Sequence, residues 1–187
     1  MKEIIVISAS PNPAGLTAAC AAAALAGVNR AGGQATVVCL NERHIGQCQA
    51  CQNGWGECRT HHECQVLDDF QAIHSQVLQA SGVILVTPVY WGEMSEAAKG
   101  FSDRLRRCEA SLDAASRLSG KPVIAVAAAG GSGNGSITCL LSMERWIQHV
   151  RARTFDLIPV NRWSREYKLT AIQSAAQAMT AELISAP

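Results

Sequence analysis

Four of the eight cysteines lie close together in the segment 48–64, CQACQNGWGECRTHHEC, with the spacing C-x2-C-x6-C-x5-C. Four thiolates at such spacing are able to hold a 4Fe-4S cluster or a zinc ion, and free thiols or a redox disulfide are the third alternative. In the zinc alternative, all four thiolates hold the ion, or His61 or His62 replaces one of them. The candidate metal ligands are Cys48, Cys51, Cys58 and Cys64.

The other reactive side chains fall on predicted helices and strands. His74 and His149 lie on helices without a partner pattern, and Asp103 and Arg104 read as an ion pair within a helix or at a subunit interface. Four further cysteines are expected to act as small buried hydrophobes: Cys20, Cys39, Cys108 and Cys139.

The segment SASPNPAGLT (8–17) combines hydroxyls, an amide and a glycine just before a predicted helix. Such a loop turns hydroxyls and backbone N–H groups toward a phosphate at the helix N-terminus. It matches neither G-x-x-x-x-G-K-[ST] nor G-x-G-x-x-G, and the alternative is a turn that only caps the helix. The candidate phosphate ligands are Ser8, Ser10, Asn12, Gly15 and Thr17.

Two more loops have unusual composition. In TPVYWGEMS (87–95), adjacent aromatics and a glycine suit a planar ring whose polar edge meets backbone N–H groups, although the aromatics alternatively pack on a helix or subunit. AGGSGNGS (129–136) has four glycines in six residues, which favours close approach of the backbone to a ligand over a plain surface loop.

Buried apolar runs alternate with helical segments along the chain, which predicts an α/β fold with a parallel sheet. The pattern indicates a single domain, 1–187, with a Cys-rich loop at 41–67. One domain with five strands favours a doubly wound, flavodoxin-like sheet of order 2-1-3-4-5. The predicted strands are 3–8, 35–40, 82–87, 122–129 and 153–160. The predicted helices are 16–31, 68–81, 95–109, 136–150 and 167–184.

Composition excludes several functional classes. With a formal net charge of +1 and no basic run, the chain has no electrostatic basis for binding nucleic acid. The first apolar run, 3–8, is too short for a signal sequence or a membrane span, so no membrane association and a cytoplasmic location are expected. In that reducing compartment the cysteines are expected to be reduced or metal-bound.

Four strings give the chain a family resemblance over roughly its first 150 residues. It resembles the NAD(P)H-dependent FMN reductase superfamily of flavodoxin-like proteins, especially the branch with iron-sulfur flavoproteins. The string PVYWGEMS, followed by Lys99 and Asp103-Arg104, is the most specific. The strings are SPNPAGLT (10–17), the cysteine segment running into VLDDF (66–70), SGVILVTPVYWGEMSEAAKGFSDR (81–104) and GGSGNGSITCLL (130–141).

The resemblance implies non-covalently bound FMN. Its phosphate would lie on the first loop, at Ser8, Ser10, Asn12, Gly15, Leu16 and Thr17. Its ring would contact Pro88, Val89, Tyr90, Trp91, Gly92 and Glu93, and on the other side Gly130, Gly131 and Ser132. The family often has an arginine in place of Asn12 and a small polar residue in place of Leu16. Asn12 offers only neutral hydrogen bonds, which predicts weaker FMN binding.

The function that the resemblance implies is hydride transfer from NAD(P)H to FMN, with delivery to an acceptor such as flavin, a quinone or a metal centre. The alternatives are an iron-sulfur electron-transfer module without its own NAD(P)H turnover and a non-catalytic flavin or thiol redox sensor. A homodimer or homotetramer is expected, with Trp55, Trp91 and Trp163 as candidate contacts.

Overall fold

The fold alternates strands and helices, and the computed structural model describes residues 2–110 and 115–186. Short 3₁₀ turns at Leu40–Glu42 and Gln52–Gly54 interrupt the Cys-rich loop. None of the described helices is both long and apolar enough to cross a membrane. The elements are β1 (Glu3–Ser8), α1 (Leu16–Arg30), β2 (Gln34–Cys39), α2 (Phe70–Gln79), β3 (Gly82–Tyr90), β4 (Glu93–Met94), α3 (Glu96–Glu109), β5 (Pro122–Ala129), α4 (Ser136–His149), β6 (Arg153–Asn161) and α5 (Arg165–Ser185).

The five long strands form a parallel sheet in the order β2-β1-β3-β5-β6. This confirms the predicted order 2-1-3-4-5, because the additional strand β4 has only two residues and pairs antiparallel with β3 alone. The sheet is flavodoxin-like, and its order reverses between β1 and β3. In sheets of this type ligands bind outside the carboxyl ends of the strands at that reversal.

Two hydrophobic cores cover the two faces of the sheet. Ile4 and Val6 of β1 join the core beneath α1 and α5, while Ile5 and Ile7 join the core beneath α2, α3 and α4. Alternate residues of a strand point to opposite faces, so a strand buried on both faces must be apolar throughout. This requirement explains why β1 was recognised from its uninterrupted apolar run.

The segment after the third long strand is a β-hairpin, and the prediction of a loop from residue 88 onward was wrong. Strand β3 continues to Tyr90 and turns back through Trp91 and Gly92 into β4. Trp91 has φ 53° and Gly92 φ 82°, and two positive φ values define the tight turn that matches strand twist. The hairpin presents the Trp91 side chain fully to solvent.

A buried ionic network joins α2 to the end of α3. The fully buried Glu109 accepts hydrogen bonds from His74 Nε2 at 2.8 Å and from Arg117 Nη2 at 2.8 Å. The expectation that His74 has no partner was therefore wrong. Burial raises the pKa of Glu109, but the hydrogen bonds from His74 and Arg117 outweigh it and lower that pKa from 4.5 to about 2.

Replacing Glu109 with glutamine is expected to destabilise the protein by about 3 kcal/mol at neutral pH, because Arg117 and His74 lose a buried charged acceptor. The carboxyl of Glu109 has a pKa of 4.5 unfolded and about 2 folded, so its stabilising effect is complete above 4.5 and is lost as the pH falls toward 2. Urea unfolding of both proteins at several pH values measures this loss.

The matched control is Asp103→Asn, which breaks the half-exposed pair of Asp103 with Lys99 one helical turn away. We expect it to change the free energy of unfolding by less than about 0.5 kcal/mol. A gap between Glu109→Gln and wild type that stays constant from neutral pH to pH 3 would contradict the assignment.

Candidate functional site

Ser95 joins the loop after β1 to the end of β3 at the carboxyl edge of the sheet. Its hydroxyl donates to the carbonyl of Ala9 at 2.9 Å, and its backbone N–H donates to Thr87 Oγ1 at 3.1 Å. Ser95 Oγ also accepts from Ala98 N at 3.4 Å and thereby caps α3. One buried serine thus fixes the start of α3 against the end of β1.

The hairpin after β3 and the segment 129–136, here called the glycine loop, touch at Gly92 and Gly135. A Cβ on Gly135 would lie 2.7 Å from Gly92 Cα, so only glycine permits this approach, and Gly135 has φ +80°. Thr138 Oγ1 lies 2.9 Å from the carbonyls of both Gly92 and Gly135. The hairpin and the glycine loop therefore form one continuous wall.

The N-terminus of α1 is open to an anion. Gly15 occupies the cap position in extended conformation, and no side chain caps the helix. The first backbone N–H groups of α1 can therefore donate to a ligand. Ser8 and Thr17 are only 7 % and 3 % exposed, and their hydroxyls make no hydrogen bond with the described residues. Because no buried side-chain oxygen among those residues lacks a partner, the two hydroxyls reach the surface. The first turn carries no acidic side chain. A helix end of this kind attracts anions, and the phosphate expected there stays a prediction.

Asn12 shapes this loop, which the sequence did not reveal. Its Oδ1 accepts from Ala14 N at 3.0 Å, its backbone N–H donates to Ser10 Oγ at 3.2 Å, and its side chain lies over Gly15. Leu16 packs against the core beneath α1. Asn12 therefore holds the turn that presents the helix N-terminus, and an arginine there would lose the Ala14 contact.

The proposed ring contacts lie at the ends of β3 and β5 or directly after them, at the same edge of the sheet. Pro88 and Val89 are half-buried, whereas Tyr90 and Trp91 are exposed. On the opposite side the backbone is bare, since a Cβ on either Gly130 or Gly131 would meet nothing within 4 Å. The remaining two predicted contacts, Glu93 and Ser132, are also exposed.

Trp163 is a neighbour of the site that sequence analysis assigned only to subunit contacts. A Cβ on Gly133 would lie 2.6 Å from Trp163 Cζ3, so the indole supports the glycine loop. Its position directly after a strand, at the carboxyl edge, is the signal that would have found it. Trp55, Trp91 and Trp163 are all exposed, and their role in a homo-oligomer stays a prediction.

The four clustered cysteines line one recess beneath α3, together with Arg104 and Arg107. All four are half-buried free thiols, and His61 and His62 do not line the recess. Within the described ranges no three Cys, His, Asp or Glu residues form a set that could hold a metal ion.

Arg104 anchors the cysteine segment to α3. Its Nη1 donates to Asp68 Oδ2 at 2.6 Å and to the Gly46 carbonyl at 3.1 Å, and its Nε donates to Cys64 Sγ at 3.3 Å. Burial lowers the pKa of Arg104, but Asp68 and Cys64 outweigh it and raise that pKa. The prediction of an Asp103–Arg104 pair was wrong, because Asp103 pairs with Lys99 instead.

The two aspartates before α2 hold the first part of the Cys-rich loop (41–67). Asp69 Oδ2 accepts from His44 N at 2.7 Å, and Asp68 Oδ2 accepts from Gly46 N at 2.7 Å. Burial raises the pKa of Asp68, but hydrogen bonds from Arg104, Gly46 and Phe70 hold it below its usual value.

The recess brings together four cysteines, the residue type that binds zinc and iron, but their arrangement among the described residues is not one that could hold a metal ion. Two arginines, Arg104 and Arg107, line the same recess. The free space is about 20 Å³, which is room for roughly one water molecule, so a multi-iron cluster requires the loop to open. Non-glycine residues with positive φ at Ala50, Gln52, Asn53 and His62 show how tightly this loop is folded.

Three of the four other cysteines are buried, as expected. Burial raises the pKa of the Cys20 and Cys139 thiols to about 12 and raises that of Cys108 further. Cys39 differs, since it is half-buried and its Sγ donates to the Ser10 carbonyl at 3.7 Å.

The comparisons with known proteins agree on one family. A family model described as NADPH-dependent FMN reductase matches residues 2–159. An iron-sulfur flavoprotein of Methanocaldococcus jannaschii is 27% identical over 129 residues, 69% of this chain and 65% of that protein. An iron-sulfur flavoprotein of Methanosarcina thermophila is 30% identical over 136 residues, 71% of this chain and 65% of that protein. The match thus spans just under two thirds of either relative.

A solved structure of similar fold is the NAD(P)H:quinone oxidoreductase from Methanothermobacter marburgensis. It superposes with a TM-score of 0.68 at 16% identity and covers 95% of both chains. At that identity the likeness shows the fold alone.

Proposed function

Because this chain belongs to the NADPH-dependent FMN reductase family, we propose that it is an FMN-dependent oxidoreductase that takes reducing equivalents from NAD(P)H and passes them to an acceptor. The observation that carries the proposal is the open N-terminus of α1 beside the hydroxyls of Ser8 and Thr17. Bound FMN supplies the hydride-accepting chemistry, and the residues described above bind and orient it.

The wall formed by the hairpin and the glycine loop would bind the flavin ring. Backbone N–H groups around Tyr90 to Glu93 would donate to the polar edge of the ring and stabilise the negative charge it gains on reduction. The bare backbone at Gly130 and Gly131 leaves the ring accessible to a nicotinamide or an acceptor. No side-chain acid or base is required for these tasks.

A second candidate function is electron transfer through an iron-sulfur cluster bound by Cys48, Cys51, Cys58 and Cys64. The shared recess of these four cysteines favours it, and two curated relatives carry the name iron-sulfur flavoprotein. Helix α3 connects the two sites, since Ser95 at its start lies about 14 Å from Arg104 along a helix that rises 1.5 Å per residue.

Replacing Thr17 with alanine is expected to raise the Kd for FMN about tenfold to a hundredfold, because a hydrogen bond to a charged phosphate contributes about 1.5–3 kcal/mol. Fluorescence titration of FMN with the purified chain measures it. The control is Thr170→Ala, an exposed threonine of α5 whose hydroxyl contacts only the Glu166 carbonyl.

The activity itself is tested by adding NADH or NADPH anaerobically to the FMN-loaded protein. The proposal expects the blue flavin band to bleach with at least one nucleotide. If the protein retains FMN but neither nucleotide bleaches it, the electron-transfer module is the function that remains. If the protein retains no FMN at a saturating concentration, the proposed function is overturned.

A further inference from the structure

A groove of about 270 Å³ lies between α1 and β2, next to the loop proposed to hold the phosphate. Strand β2 stands at one end of the strand order, so the groove follows an edge of the sheet. The helix contributes side chains spaced three and four residues apart and the strand contributes alternate ones, so each set shares one face. The apolar sides of the groove are Ala18, Ala21, Ala22, Leu25, Val37 and Cys39.

The size and lining of the groove suit one flat ring with a small polar group attached. Three alanines on α1 leave the space, and the facing Val37 is 46 % exposed. Pockets for small molecules have volumes of about 300–1,000 Å³ and are mostly apolar with a few polar groups. The groove lies at the lower end of that range, so it has room for half of a dinucleotide and not for a whole one.

Ser8 supplies a polar group at the end of the groove nearest the N-terminus of α1. It is only 7 % exposed, and its hydroxyl makes no hydrogen bond with the described residues but reaches the surface. Alternate residues of a strand share a face, and Ile4 and Val6 of β1 join the core beneath α1. Ser8 therefore points to the α1 side, where it lines the groove. Because a hydroxyl donates once and accepts twice, Ser8 can serve both a phosphate and a ligand of the groove.

Glu42 supplies a carboxylate at the other rim. It lies in the short turn Leu40–Glu42 directly after β2, is exposed, and makes no hydrogen bond or ion pair with the described residues. In dinucleotide-binding folds an acidic residue about 20 positions after the phosphate loop accepts a hydrogen bond from a ribose hydroxyl. Glu42 occupies the equivalent place, since α1 and β2 separate it from the phosphate loop.

The charge of the lining selects among ligands. Among the described residues that line the groove, Glu42 alone carries a formal charge, which disfavours a phosphate or carboxylate inside it. A neutral group with hydroxyl donors and an apolar ring fits, and an adenosine unit has both.

We propose that the groove binds the adenosine half of flavin adenine dinucleotide, so that the flavin site accepts FAD and holds it more tightly than FMN. FAD is FMN extended from its phosphate by adenosine monophosphate, and the groove begins beside the place proposed for that phosphate. The inference rests on the flavin part of the proposed function.

The test is isothermal titration calorimetry of the flavin-free chain with FMN and with FAD. Wild type is expected to bind FAD at least about tenfold more tightly than FMN, because the adenosine adds apolar burial and a hydrogen bond to a charged group. Ala22→Phe fills the groove from an exposed position of α1, and Glu42→Gln removes the charged acceptor. Each is expected to raise the Kd for FAD about tenfold and to leave that for FMN within about threefold.

The matched control is Ala26→Phe, one helical turn along α1 from Ala22. Ala26 is also exposed but does not line the groove, so both Kd values should stay within about threefold of wild type. Glu42→Gln decides the question if Ala22→Phe does not fold.

The two flavins separate the inference from the function beneath it. If the wild-type protein binds FMN but binds FAD no more tightly, or if Glu42→Gln changes both Kd values alike, the inference alone is overturned. If the protein binds neither flavin, the proposed function is overturned and the inference with it.

Discussion

Gly135→Ala is expected to weaken FMN binding about a hundredfold. Alanine at φ +80° costs about 1–2 kcal/mol, and its Cβ would lie 2.7 Å from Gly92 Cα. Relief of that overlap costs about 1–3 kcal/mol more and separates the hairpin from the glycine loop. Both loops would then leave the positions proposed for the ring. Fluorescence titration gives the Kd, and urea unfolding is expected to show a parallel loss of about 3 kcal/mol.

The matched control is Gly100 of α3, which lies outside the proposed contacts of FMN. Gly100 has no positive φ, and a Cβ there would meet nothing within 4 Å, so Gly100→Ala should leave the Kd within about threefold. If Gly135→Ala binds FMN as tightly as Gly100→Ala does, the wall formed by Gly92 and Gly135 does not define the flavin site.

The second large effect concerns Cys58. Cys58→Ser is expected to reduce the iron content of anaerobically reconstituted protein from about four atoms per chain to less than about one, because the cluster loses a thiolate ligand. FMN should remain bound, since none of the residues proposed to bind it lines the recess. Metal analysis and the flavin absorption bands measure both quantities on one sample.

The matched control is Cys39→Ser, because Cys39 is also half-buried but lies outside the recess. Its iron content should equal that of wild type. If the wild-type protein contains about one zinc per chain and shows no absorption band of a cluster, the four cysteines bind zinc instead of an iron-sulfur cluster. Protein without either metal would leave the redox-thiol alternative, with Cys48 and Cys51 as the pair most able to form a disulfide.

The sheet was predictable because its strands are buried on both faces. Such strands are apolar through their interior, as Ile4–Ile7 of β1 and the whole of β5 are, and this run is visible without knowledge of the neighbouring strands. The alternation with helices then permits few topologies, so the order of the long strands followed. The cofactor loops were located for the same reason, since they directly follow the strands.

Other features needed contacts between residues far apart in the chain. The pair His74–Glu109 spans 35 positions and Arg104–Cys64 spans 40, and neither separation has a sequence signature. The hairpin after β3 depends on the approach of Gly92 to Gly135, which a single-segment pattern does not contain.

The sequence by itself thus determined the parallel sheet, the loops at its edge and the thiol segment, because each depends on local periodicity or composition. Only the tertiary structure decided that the four thiols share one recess, that Arg104 directs a donor at one of them, and that Asn12 braces its own loop. Burial leaves a polar group few partners, and which partner it finds depends on how distant elements pack.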